Sequence, residues 1–144
     1  MNESIHFFTE KTQYTLRNKK KLREWINDTA LAEHAIDGEI NIVFCDDEFL
    51  SDINFKYLKN NSLTDIITFP LMEDESVISG DIFISLPRVR ENAKKFGQNA
   101  EDEMHRIMIH GILHLLGYGD SSAEEKKAMT KKENLYLGRL NKIF

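Results

Sequence analysis

The segment from Met104 to Leu116 limits how this chain can fold more than any other part of the sequence. Its apolar side chains occur on every side of a helix instead of forming a single stripe. Such a helix is buried centrally in a globular protein, because it has no polar face to present to water. Other elements must therefore surround it, and the side chains to be covered are Met104, Ile107, Met108, Ile109, Ile112, Leu113, Leu115 and Leu116.

Two histidines interrupt this apolar segment. His110 and His114 stand four residues apart, so a helix places both imidazoles on one face, one turn from each other. Two imidazoles in this arrangement can bind one cation, as helical metal sites do. The alternative is a pair of core histidines that are hydrogen-bonded to their neighbours.

The residues after the helix favour a metal site. Gly117 suits the positive φ at which many helices end, and the chain can then double back so that Asp120 approaches His114. Asp120 could instead cap the final helix. However, Ser122 with Glu125, or the Ser–Glu pair one residue earlier, already provides a capping box. The carboxylate of Asp120 is therefore available as a third ligand.

The remaining elements are predicted from composition and periodicity. Strands are expected at Ile5–Phe8, Ile40–Phe44, Ile66–Leu71 and Val77–Ser85. Helices are expected from Lys19 to about Ala35, from Asp46 or Asp47 through Tyr57, from Pro87 towards Phe96, from Ala100 to Leu116, and from Ser122 to about Leu140. Gly38 should end the first helix, and the short turn Glu73–Ser76 favours an antiparallel hairpin. The sequence therefore predicts an α+β fold, in which a small mixed four-stranded sheet packs with about five helices and the metal site lies on the buried central helix.

Composition sets the wider limits. A chain of 144 residues with 41% hydrophobic and 30% charged residues is expected to form a single globular domain over residues 1–144. Its one cysteine, Cys45, cannot form an internal disulfide, which suits a reducing compartment. No apolar run approaches the roughly 20 residues of a membrane span, and the acidic N-terminus does not have the pattern of a signal peptide. The expected location is the cytoplasm.

The net charge of −5 argues against a protein that coats nucleic acid through overall positive charge. Local basic clusters can still contact RNA, because the arrangement of charges determines the local field. One cluster comprises Arg17, Lys19, Lys20, Lys21 and Arg23, and another comprises Arg88, Arg90, Lys94 and Lys95. Either cluster could instead be an ordinary solvated helix face.

Four blocks of sequence resemble one known family. The stretch His110–Tyr118, with the pattern HGxLHLxGY, is similar to the signature of the YbeY family, the single-strand-specific metallo-endoribonucleases of bacterial ribosomal-RNA maturation. Ile53–Tyr57, Thr64–Pro70 and Gly80–Ser85 resemble the family's other blocks in the same order. The resemblance covers roughly residues 40–140. Three positions depart from it: Asp120 replaces a third histidine, Leu58 replaces an arginine and Leu63 replaces a proline.

The resemblance implies a metal-dependent endoribonuclease that acts in 16S rRNA processing and ribosome quality control. Its partners would be ribosomal RNA and ribosomal proteins or assembly GTPases, with neither a membrane nor a small-molecule cofactor. His110, His114 and Asp120 would hold one Zn²⁺ per chain, other divalent metals being possible. Asp65 and Asp81 are candidates for the general base, although Asp65 could instead cap a turn and Asp81 could bond backbone amides. The expected RNA contacts are Lys19, Lys20, Lys21, Lys59 and Arg88.

Zinc held by two histidines and one carboxylate keeps a position for water, and it lowers the pKa of that water to about 7. A peptidase is the first rival, but zincins carry glutamate directly after the first histidine, where this chain has Gly111. An iron oxygenase could use the same ligands, yet nothing in the sequence indicates an oxoacid cosubstrate. A non-catalytic ribosome-assembly factor, stiffened by its metal, stays open because Leu58 replaces the arginine.

Overall fold

The computed structural model describes residues 4–58, 64–71, 74 and 76–144. Within them the chain forms four strands and five helices. The strands are β1 (Ile5–Glu10), β2 (Ile36–Cys45), β3 (Ile66–Pro70) and β4 (Val77–Ser85). The helices are α1 (Lys19–Ala32), α2 (Asp47–Leu58), α3 (Leu86–Lys95), α4 (Ala100–Leu115) and α5 (Ala123–Ile143). This content confirms the predicted α+β class.

The four strands form one mixed sheet in the order β1-β2-β4-β3. β2 pairs in parallel with both β1 and β4, whereas β3 pairs with β4 in antiparallel register, with Ile66 opposite Ile84. The predicted hairpin is therefore confirmed. The turn expected at Glu73–Ser76 lies partly outside the described residues. In the strand order, β3 forms one edge of the sheet.

Alternation along β4 divides the protein into two packed faces. Ile82 and Ile84 belong to the main core, which includes the apolar side chains of α1 and α4. Phe83 points the other way and joins a smaller cluster with residues of α2 and β3, including Phe49 and Phe69. α4 and α2 therefore lie on opposite faces of the sheet.

α4 is enclosed as its composition predicts. It contacts α3, α5 and the strands β3 and β4, and its apolar side chains are almost completely buried. Gly111 lies directly on the sheet, where an added Cβ would be 3.0 Å from carbons of both Ile66 and Ile82. The histidine-bearing helix is therefore held close to β3 and β4.

The prediction for Gly38 is wrong. α1 ends at Ala32, His34 adopts a left-handed conformation with φ of 65°, and the Ala35 amide donates to the Ala30 carbonyl. Gly38 instead lies inside β2, beside a shift in the register between β2 and β4. A Cβ there would overlap the side chain of Ser79, so the glycine permits close approach of two strands.

Several local signals act as predicted. The Asp46 carboxylate accepts a hydrogen bond from the Phe49 amide at the start of α2, and Ser85 caps α3, where Pro87 stands in the first turn. Cys45 is fully buried. Within the described part of the chain, no helix combines the length and apolar composition needed to cross a bilayer.

Gly80 provides a test of how tightly the sheet and α4 pack. Its φ is +152°, and an added Cβ would lie 2.4 Å from the Phe69 carbonyl oxygen and 3.1 Å from Leu115. We expect Gly80→Ala to lower the free energy of unfolding by about 2 kcal/mol or more, because the backbone of β3 would have to move. Urea unfolding measures this difference.

Gly138→Ala is the matched control. Gly138 lies inside α5, and nothing stands within 4 Å of a Cβ built there. Alanine is the better helix former, so this variant should gain about 0.5–1 kcal/mol of stability. If Gly80→Ala were equally well tolerated, the close approach of β3, β4 and α4 would be contradicted.

Candidate metal centre

Three side-chain atoms converge at the C-terminal part of α4. The Nε2 atoms of His110 and His114 are 2.9 Å apart, and Oδ2 of Asp120 lies 3.3 Å from the first and 3.4 Å from the second. Among the described residues this is the one group of three or more histidine, cysteine or acidic side chains close enough to hold a metal ion. The structure therefore brings together the three residues that the sequence singled out.

These separations fit a zinc ion. Zinc bonds nitrogen at about 2.0–2.1 Å with tetrahedral geometry, which places its ligand atoms about 3.3 Å from one another. Both separations to Asp120 match this value, and the separation between the two histidines is shorter by a few tenths of an ångström. A small cation at the centre of this triangle could contact all three atoms.

The hydrogen-bond partners of the two imidazoles fix where their protons lie. Nδ1 of His114 is 2.9 Å from the backbone oxygen of Tyr118, and Nδ1 of His110 is 2.7 Å from Oε2 of Glu133. Both partners are acceptors, so each Nδ1 carries the proton and donates it. In the neutral rings each Nε2 then presents a lone pair, and both lone pairs point towards the same space. This is the tautomer that metal-binding histidines require.

The loop after α4 brings Asp120 to the histidines. Gly117 has a φ of +101°, which turns the chain back at the end of the helix. Ser122 and Glu125 form the capping box of α5, as predicted, so Asp120 is not needed as a cap. The side chain of Asp120 is about half exposed, with a relative accessibility of 48%. The centre is therefore closed by helices on one side and accessible from solvent on the other.

Glu133 is a site residue that the sequence reasoning missed. It is buried on α5, where it accepts from His110 and also from Nη1 of Arg106 at 2.8 Å. Burial alone lowers the pKa of His110, but the hydrogen bond to Glu133 and the negative charges of Glu133, Asp120 and Asp65 raise it above 6.5. The available signal was a carboxylate in the apolar stripe of α5, between Met129 and Tyr136.

Glu33 is a second missed residue, and it holds the loop from the side of α1. Its carboxylate accepts hydrogen bonds from the hydroxyls of Tyr118 and Tyr136 and from Nζ of Lys132. Burial and Glu33 together raise the pKa of Tyr136 to about 12, so that hydroxyl stays protonated as a donor. Because the backbone carbonyl of Tyr118 accepts a hydrogen bond from Nδ1 of His114, Glu33 supports the orientation of one candidate ligand by holding Tyr118.

The two candidate bases lie in different places. Oδ2 of Asp65 accepts from the side chain of Asn92 at 3.1 Å, and Asp65 is close enough to raise the pKa of His110. Asp81 lies within β4 and alternates with Ile82, so it points to the face that α2 covers, where it accepts from Asn41 at 2.9 Å. The structure therefore brings Asp65, but not Asp81, to the side of the sheet that carries the histidines.

The predicted RNA contacts are also separated. Lys19, Lys20 and Lys21 are exposed at the start of α1, whereas Glu33 contacts the site loop just beyond its other end. Fourteen helical residues span about 21 Å, so these lysines lie far from the histidines. Arg88 is paired with Asp47 and Glu91. Lys59 and Leu63 lie outside the described residues, as does the side chain of Leu58.

A buried central helix with three converging metal-ligand side chains on a mixed sheet defines an α+β protein with a candidate hydrolytic metal site. Comparison with known proteins is consistent with this class. The family model "Endoribonuclease YbeY" matches residues 4–141. The solution structure of TM1509 from Thermotoga maritima superposes with a TM-score of 0.66 at 28% identity, covering 94% of this chain and 88% of that one.

Curated relatives give the same result. Endoribonuclease YbeY of Cytophaga hutchinsonii is 44% identical over 135 residues, covering 94% of each chain. The proteins of that name from Karelsulcia muelleri and Amoebophilus asiaticus are 43% and 41% identical, covering 97% and 93% of this chain and 98% and 91% of their own length. The chain therefore belongs to the YbeY family, whose named members are endoribonucleases, and the resemblance seen in its sequence is confirmed.

The bonds around Glu33 predict a dependence of stability on pH. Burial alone raises the pKa of Glu33, but the hydrogen bonds from Tyr118, Tyr136 and Lys132 outweigh it and lower the pKa below the ordinary 4.5. A lowered folded-state pKa stabilises the protein above pH 4.5, and this contribution is lost as the pH falls through the folded value. Glu33→Gln should therefore cost about 1–3 kcal/mol at neutral pH and progressively less below pH 4.5.

Urea unfolding of both proteins from pH 7 to pH 3 checks this expectation. Glu24→Gln is the matched control, since Glu24 is exposed on α1, the helix that Glu33 directly follows, and the change in charge is the same. A difference between wild type and Glu33→Gln that does not change below pH 4.5 would show that the ionised carboxylate is not what holds the loop.

Proposed function

We propose that this protein is a metal-dependent, single-strand-specific endoribonuclease that cleaves RNA phosphodiester bonds. The observation that carries the proposal is the convergence of the two Nε2 atoms and one carboxylate oxygen within 3.4 Å, in a chain of an endoribonuclease family. His110, His114 and Asp120 are the proposed ligands of a single zinc ion, with other divalent metals as possible substitutes. Bound there, zinc would supply a hydroxide nucleophile near neutral pH and polarise a phosphoryl oxygen.

The protein's own contribution is to orient both imidazoles and to favour the tautomer that leaves each Nε2 open to a metal. Glu133 keeps the proton of His110 on Nδ1, and the Tyr118 carbonyl does the same for His114. Arg106 in turn holds Glu133, and outer partners of this kind orient the ligands and increase their basicity. We assign Asp65 as the candidate general base. Asp81 is not assigned a role at this centre, because it points to the other face of the sheet.

The biological part of the proposal follows from the family. We infer action in 16S rRNA processing and ribosome quality control in the cytoplasm, with ribosomal RNA, ribosomal proteins or assembly GTPases as partners and a single catalytic domain over residues 1–144. The second candidate is a non-catalytic assembly factor whose metal only stabilises the fold. The observation that favours it is Leu58, at the position where the family commonly has an arginine to contact RNA.

Removal of one ligand separates these two functions. We expect His114→Ala to reduce cleavage of single-stranded RNA more than about 100-fold, which exceeds the usual effect of losing an outer-shell partner. Chelation of the wild-type protein should abolish cleavage in the same way, and re-addition of zinc should restore it. The measurements are metal content and RNA cleavage, with circular dichroism to verify the fold.

The matched control is His34→Asn. His34 is exposed at a positive φ, which asparagine tolerates, so metal content and cleavage should not change. If the wild-type protein binds metal but never cleaves RNA, the non-catalytic function is favoured.

The unusual third ligand gives a second test. Asp120→Ala should lose the metal with little effect on the metal-free fold, since Ser122 and Glu125 still cap α5. Asp120→His should restore metal binding, because imidazole suits zinc at least as well as carboxylate does. The carboxylate also reduces the positive charge of the site, so the wild-type pH profile of cleavage should lie at higher pH than that of Asp120→His.

Metal stoichiometry and pH profiles of the three proteins, measured side by side, test the assignment. The wild-type site should also accept manganese more readily than the Asp120→His site, because a carboxylate is the harder donor. One tightly bound metal per chain in Asp120→Ala would show that Asp120 is not a ligand.

A further inference from the structure

One face of α5 carries cations that the proposed site does not use. A shallow groove of about 610 Å³ lies there, and two of its lining residues are Ala123 and the acidic Glu124. The other five are the exposed Lys126, Lys127 and Lys131, with Thr130 and Asn134, so three cations stand against one carboxylate. In the described ranges, none of these three lysines has a carboxylate within salt-bridge distance. We call this surface, defined by these five residues, the lysine face.

The lysine face borders the candidate metal centre. The helix that carries it also supplies Glu133, which contacts His110. Lys126 and Thr130 precede Glu133 by seven and three residues and lie near it around the helix, whereas Lys127 and Lys131 lie farther round, towards solvent. On the other flank, the Asn134 side chain accepts from Nη2 of Arg106 at 2.8 Å, while Nη1 of the same arginine binds Glu133. The Asn134 edge of the groove therefore adjoins α4 at Arg106, four residues before His110.

Three cations on helices α3, α4 and α5 are already neutralised within the described part of the chain. Lys132 is paired with Glu33, Arg106 with Glu133, and Arg88 with Asp47 and Glu91. The protein has a net charge of −5, so RNA that approaches the metal centre needs unpaired cations close by. Cations that are already paired with carboxylates release no counterions from the RNA and therefore add little to its binding. The lysine face supplies three such unpaired cations within one and a half helical turns, about 7.5 Å along the axis.

Two other surfaces fit a phosphate chain less well. Lys19, Lys20 and Lys21 lie at the end of α1 remote from the histidines, where Lys21 stands over the ring of Phe144. The large groove beneath α2 is lined by apolar and aromatic side chains, and its charged residues are one cation, Lys56, and two carboxylates, Asp52 and Asp81. It also lies on the opposite face of the sheet from the metal centre.

We propose that the lysine face is the RNA-binding track of this protein, which holds the phosphates of the single strand next to the bond to be cut. This inference rests on the proposed endoribonuclease function and specifies the path of its substrate. Lys126, Lys127 and Lys131 neutralise successive phosphates, and Thr130 and Asn134 offer polar contacts between them. No base is read along this face, so the track tolerates any sequence.

Two triple variants with the same change in charge test the track. One replaces Lys126, Lys127 and Lys131 by alanine, and the other replaces Lys19, Lys20 and Lys21. A fluorescein-labelled oligouridylate is titrated with each protein in the presence of chelator over a range of salt concentrations. Cleavage of the same oligonucleotide is measured with zinc, and thermal unfolding verifies that each variant is folded.

The expected result is selective. The α5 variant should bind at least about tenfold more weakly at low salt and lose about 2 units from the slope of log affinity against log salt, since each phosphate contact on a single strand contributes about 0.7. Its cleavage of the oligonucleotide should be slower mainly because KM is raised, with little change in kcat. The α1 variant should resemble wild type in all of these measurements.

Equal losses in both variants would overturn the track, because binding would then report only net charge. A larger loss in the α1 variant would overturn it in favour of Lys19–Lys21. In both cases wild-type cleavage with zinc shows that the proposed function itself is sound. A wild-type protein that binds metal but neither binds nor cleaves the oligonucleotide would overturn both proposals together.

Discussion

The structure depends on one constraint: α4 must be buried on nearly all sides while two of its imidazole nitrogens stay accessible. Each large apolar side chain of α4 contributes about 1.5–3 kcal/mol when it is removed from water, so the helix is stable only inside the protein. The sheet covers one side of α4 and α3 and α5 cover others. His110 and His114 remain partly exposed at the position that is left open.

Burial of imidazoles is tolerable only when their polar atoms are satisfied. Glu133 and the Tyr118 carbonyl provide this, and each partner is itself held in place, by Arg106 and through Glu33 respectively. Glu133 comes from α5 and Glu33 from the end of α1, so the orientation of both imidazoles depends on residues distant in sequence. The same bonds that satisfy the buried rings leave both Nε2 lone pairs directed at one point, so the stability of the core and the chemistry of the site have a common cause.

Local signals were sufficient to identify the type and order of the helices and strands and to single out the three residues that converge. The four-residue spacing of the histidines, the glycine after the helix and the capping box at Ser122 each act over a few residues, and the structure agrees with all three. Gly38 failed because its role is a close approach to Ser79, a residue about forty positions away. Likewise, nothing near Asp81 in sequence indicates to which face of the sheet it points.

The sequence by itself determined that a central apolar helix would carry two histidines on one face, and that Asp120 could reach them, because helical periodicity and turn conformation are local properties. Only the tertiary structure decided which outer residues complete the site. Glu133 and Glu33 reach it through contacts between packed helices, and these depend on how side chains from separate elements fill shared space. Packing likewise set Lys19–Lys21 at the far end of α1 and placed Lys126, Lys127 and Lys131 on the helix that supplies Glu133, although both sets look alike in sequence.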